Sequence, residues 1–151
     1  MPSIASETIE SKINYETCRN QAEIYELAAC KGFMMDKFSD LYLSSGFCSD
    51  SYDKEWSLYH TTRPEECIDI LSEEHFTCPK YNDGKGIFDP DTAWWIGFTY
   101  RQLQIETLVP SRKLKDIIPF SEMVACYPGL HTVDEEFATD MICEHHRLVK
   151  A

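Results

Sequence analysis

Histidines and cysteines are the residues of this 151-residue chain best suited to chemistry, and two of the five histidines share a context. Tyr59-His60-Thr61-Thr62-Arg63-Pro64-Glu65-Glu66 and Leu130-His131-Thr132-Val133-Asp134-Glu135-Glu136 follow one pattern. Each has an aromatic residue or leucine, then His-Thr, a short polar link and Glu-Glu, running into an apolar-ended helical turn. An imidazole titrates near neutral pH and could act as an acid, a base or a ligand. Its recurrence at equivalent places favours another role, because catalysis rarely needs two copies: each ring would bond backbone groups at a corner between helices. Glu144-His145-His146, and His75 with Cys78, offer metal donors. A tetrahedral site needs four converging ligands, and neither spacing supplies them, since adjacent histidines leave a helix in different directions. Gly84-x-Gly86 lacks the strand and helix of a phosphate loop. The expectation is therefore no catalytic residue, no cofactor and no metal.

The elements that must hold these residues read as helices throughout. The histidines lie 71 positions apart. At that offset Ala22 to Leu27 falls on Ala93 to Phe98, and both segments are apolar with helical spacing. This suggests a degenerate tandem duplication, with units at 13–73 and 91–150 and a linker at 74–90. In each unit a Thr precedes a Glu by three residues, Thr62 with Glu65 and Thr132 with Glu135, the spacing of a capping box. Asn14 would cap a helix ending at Gly32, and Asp36 to Ser44 a second. Asp50 would cap a third, bringing Tyr52, Trp56 and Tyr59 to one face. A capped helix from Arg63 to Glu73 would close the unit. In the second half Asp91 would cap the most apolar helix, ending near Leu108. Short helices at 112–118 and 121–126, a turn at Tyr127-Pro128-Gly129 and a last helix from Val133 would follow, with Phe137, Met141 and Ile142 facing inward. The linker is dense in turn formers, with a short strand near Phe76. The fold class is all-α: two degenerate helical units packed as one irregular bundle.

The chain carries a net charge of −12, from 26 acidic and 14 basic residues. Such a balance argues against a nucleic-acid partner, whose binding runs on Lys and Arg at phosphates; it suits solubility or a basic partner surface. Seven cysteines form no C-x-x-C pair, and no signal-peptide pattern precedes them. Reduced, mostly buried thiols in a cytoplasmic protein are expected. No apolar run approaches the length of a membrane helix.

Lys31-Gly32, Phe38, Leu58-Tyr59-His60-Thr61 and Ile68 to Leu71, recurring as Leu130-His131-Thr132 and Asp140 to Ile142, resemble a family of short helical bacterial proteins. These are encoded beside toxins with an ADP-ribosyltransferase-like domain. Ala93-Trp94-Trp95-Ile96-Gly97-Phe98-Thr99-Tyr100-Arg101 is similar to longer members from such gene clusters. The resemblance implies a non-enzymatic antitoxin or immunity-type protein that neutralises a cognate toxin. Trp56, Trp94 and Trp95 would be its aromatic anchors. Glu65, Glu66, Asp134, Glu135 and Glu136 would steer a basic partner. A competing resemblance is to ADP-ribosyltransferases themselves, whose strand motif holds a ribose-binding His. Leu58-Tyr59-His60 fits it, but Thr61 stands where those enzymes have Gly, and they need a β-rich scaffold and a catalytic Glu that has no counterpart here.

Overall fold

A computed structural model of the chain describes residues 4–54, 57, 60, 62–74, 77–81 and 87–151, with side chains from Lys12 onward. Trp56, Leu58, Tyr59, Thr61, His75, Phe76, Gly84 and Gly86 lie outside them.

The described chain is all-α. In order it forms α1 (Ile4–Cys30), α2 (Met35–Ser44), a π-helical turn (Cys48–Tyr52), α3 (Pro64–Glu73), α4 (Pro90–Thr107), α5 (Ser111–Ile117), α6 (Phe120–Leu130) and α7 (Glu135–His146). Among the described residues the only β pairing is an isolated bridge between Phe33 and Lys80. Each half opens on a long helix and closes on a helix that follows a His, but the third element is a short π-helical turn in the first half and the longer α6 in the second. His60 and His131 both stand four residues before the first residue of that closing helix.

The two long helices, α1 and α4, pack against each other at the centre, and the rest are laid around them. Gly97 makes the close approach possible. A Cβ built there would lie 2.7 Å from Cγ of Tyr25, so only glycine lets α1 come this near. The side chain of Gln21 then donates to the buried carbonyl of Gly97 at 2.9 Å. The main hydrophobic core draws on both halves, including Ile24, Tyr25, Phe38, Tyr42, Leu71, Ile96, Leu103, Met123 and Ile142. Residues 77–81 close over the corner between α1 and α2, where Met34 N donates to Pro79 O and Tyr81 N to Gly32 O, both at 2.9 Å. Gly32, with φ of +86°, ends α1 as its sequence position implied.

Several boundaries depart from expectation, and local chemistry explains them. The α1 helix begins ahead of Asn14, at Ile4. Cys48–Tyr52 forms a π-turn where a helix capped by Asp50 was expected. The cap of α4 is Asp89, whose carboxylate accepts from Thr92 N at 3.0 Å and Thr92 Oγ1 at 2.6 Å. Pro90, just inside, sets the helical φ that places Asp89 at the cap instead of Asp91. Neither capping box forms with threonine as the cap. Proline disfavours helical geometry in the residue before it, so Arg63 is extended and α3 starts at Pro64 with Arg63 as its cap. For α7 the cap is Asp134, accepting from Glu136 N at 2.9 Å. Its short carboxylate sits two residues nearer the helix than Thr132 and takes the orphan amide first. Helix α6 runs through the expected turn at Pro128 to Leu130.

Candidate functional site

Helix α7 is built as a two-sided element. Ala138, Thr139, Ile142 and Cys143 form its buried face. The opposite face carries Phe137, 53% exposed, and Met141, 45% exposed, one turn apart. The expectation that both face inward is thus corrected: the buried stripe runs through 138, 142 and 143, which leaves 137 and 141 outside. Exposed Asp134, Asp140 and Glu144 lie about one turn from the pair along α7, and exposed Glu136 directly precedes Phe137. Asp140 is bridged to Lys150 from the C-terminal segment. Between α6 and α7 lies a hollow of about 360 Å³, lined by Glu122, Cys126, Leu130, Met141, Ile142 and His145. Met141 belongs to both features, so the outer apolar strip runs into the hollow.

The other residues expected to bind a partner are more scattered. Trp94 is half-buried and stacks on Phe98, centroids 5.2 Å apart, beside Cys18 and Ala22. Trp95 is only 6% exposed and meets Tyr127 edge-on, so it is a core residue and unavailable as an anchor. Adjacent positions on α4 point about 100° apart, and this helix is covered on most sides. Trp56 lies outside the described residues. Glu65 and Glu66 are exposed on the first turn of α3, which packs mainly on α1, and Glu135 is half-buried on α7.

His60 and His131 behave as corner residues. The Nε2–H of His60 donates to the carbonyl of Ser51 at 2.8 Å, and its ring packs on Tyr52. Burial favours the neutral ring and holds its pKa below the ordinary histidine value, against the raising effect of the Ser51 carbonyl. His131 Nδ1 bonds the carbonyl of Tyr127 at 2.6 Å and stacks on that ring at 4.1 Å, but it is exposed. His60 borders a second hollow, of about 190 Å³, with Asn14, Thr17, Asp53 and Gln104.

Behind that hollow lies a polar cluster that no motif announced. Arg101 is fully buried on α4. Its Nε and Nη2 donate to Gln21 Oε1 at 2.8 and 2.6 Å. Its Nη1 donates to Asp53 Oδ1 at 2.7 Å and to Gln104 Oε1 at 2.9 Å. Asp53 also accepts from the amide of Ser111 at 2.9 Å. Burial alone would raise the Asp53 carboxyl, but Arg101 and Ser111 outweigh it and hold the pKa below the ordinary value. The sequence signal was an arginine inside the apolar stretch from Ala93 to Leu103, since a charge rarely sits there unless paired. All seven thiols are free. Burial pushes Cys18 up to about 12 and Cys67 and Cys78 up to about 11, so these remain protonated and weakly nucleophilic near neutral pH.

No family model, curated protein or solved structure matches this chain. No described helix is long and apolar enough to cross a membrane.

Proposed function

We propose that the chain is a non-enzymatic antitoxin or immunity-type protein, which binds and neutralises a cognate toxin of the ADP-ribosyltransferase kind. The observation that carries the reading is the outer face of α7, where exposed Phe137 and Met141 sit among four carboxylates. An apolar centre with a charged rim is the anatomy of a protein interface. The sign of the rim selects a partner whose apolar side chains are ringed by Lys or Arg. The toxin class comes from the resemblance of the Leu-His-Thr repeats, not from this geometry.

The test titrates the purified product of the adjacent gene into the chain. Saturable binding that inhibits its activity, weakened at least ~10-fold by Phe137→Ser with Met141→Ser, is expected, because central apolar anchors commonly cost more than 1 kcal/mol each when truncated. Both side chains are already solvent-facing, so the variants should fold. Saturable NAD binding, weakened by His60→Ala, would overturn the reading in favour of an ADP-ribosyltransferase.

A further inference from the structure

We propose that Glu122, His145 and His146 form a binding site for a divalent transition-metal ion of the zinc class. The three residues come from two helices, Glu122 from the first turn of α6 and the histidines from the last turn of α7. One ligand atom from each lies within 4.8 Å of the others. Consecutive side chains on a helix normally diverge. Here α7 ends at once, with Arg147 in the left-handed conformation, and the two rings pack edge to face with centroids 4.9 Å apart. Both therefore present nitrogen toward Glu122, and His146 Nε2 already bonds Glu122 Oε2 directly.

Donors around one tetrahedral zinc, at bond lengths near 2.0–2.1 Å, stand roughly 3.4 Å apart. The cluster thus has to tighten by up to about 1.4 Å at its wider edges and open at the His146–Glu122 contact. Side-chain rotation can do this, because His145 is exposed and His146 and Glu122 are half-buried. Two imidazoles and one carboxylate suit zinc, whereas calcium and magnesium take oxygen donors. The ion would replace any proton shared by His146 and Glu122, and that proton would pass to solvent. Glu122 and His145 also line the α6–α7 hollow, so a fourth position would open toward it and take water. Bound there, the ion would tie the end of α7 to α6. The inference is independent of the partner reading.

Zinc is titrated into the full, untagged chain with its thiols kept reduced, against a competing chelator, and the melting temperature is followed in parallel. One equivalent should bind and raise the melting temperature by several degrees, because a ligand of the folded state alone stabilises it. Glu122→Gln, which keeps the side chain's shape, and His145→Ala with His146→Ala should each weaken binding by ~10-fold or more and abolish the thermal shift. Circular dichroism of the variants would establish that they are folded. Absence of binding to the native chain overturns the site. So does zinc binding that the histidine and glutamate variants leave unchanged, which would assign the metal to the thiols.

Discussion

At the scale of single residues, the most deeply buried ion pair among the described residues is that of Arg101 and Asp53. A guanidinium in the core is tolerable only when its N–H groups are bonded and its charge is met. Gln21, Gln104, Ser111, Cys48, the carbonyl of Tyr52 and Asp53 accept from it, and of these Asp53 brings the negative charge. Asp53→Asn keeps the shape and removes that charge, leaving Arg101 buried without an ion-pair partner among the described residues. Breaking a buried pair in this way costs about 3–5 kcal/mol, so the urea midpoint at pH 7 should fall markedly. The pH dependence follows from the sign of the shift. Asp53 has a folded pKa below its ordinary 3.8. Its ionised form thus stabilises the fold above that value, and the contribution is lost as pH falls through the lowered pKa. The gap between native and variant stability should be full at neutral pH and narrow only in strong acid. A gap that closed near pH 6 would place the dominant titration at another group.

At the scale of elements, the α1–α4 contact makes the sharpest demand on sequence. Gly97→Ala would gain helix propensity worth about 0.5–1 kcal/mol, but its Cβ would land 2.7 Å from Cγ and 2.9 Å from Cβ of Tyr25. Forced overpacking of a core typically costs about 1–3 kcal/mol, and moving α1 away would also stretch the Gln21–Gly97 bond. A lower melting temperature is expected. Gly129→Ala is the control, since nothing lies within 4 Å of a Cβ there; it should be neutral or slightly stabilising. The same contrast explains what was legible in the sequence. Helical periodicity exposed the long helices, and Gly32 and the His-Thr repeats exposed the corners. Helix starts were misread because Pro64 and Pro90 constrain the residues before them and because Asp134, nearer the helix than Thr132, caps α7. Phe137 and Met141 were misread because periodicity gives a stripe of apolar residues but not which edge of the stripe meets the core. The Glu122–His146 pairing joins residues 24 apart, and no local pattern announces it.

At the scale of the whole molecule, a net charge of −12 attracts any basic partner, so the question is whether α7 contributes more than its share. Long-range attraction acts on the rate of encounter, while apolar anchors act on the lifetime of the complex. Neutralising Glu136→Gln together with Glu144→Gln beside Phe137 should slow association with the toxin and leave dissociation nearly unchanged. The Debye length is about 10 Å at 0.1 M salt and about 3 Å at 1 M, so the difference from the native chain should shrink as salt is raised. Phe137→Ser should do the reverse, speeding dissociation with little dependence on salt. Glu65→Gln with Glu66→Gln removes the same charge from α3, which packs mainly on α1. If α7 is the docking face, stopped-flow mixing at low salt should show a larger loss of association rate for the α7 pair than for the α3 pair. Equal losses would mean that the acidic surface attracts the partner only through its total charge, and α7 would lose its claim as the place of contact.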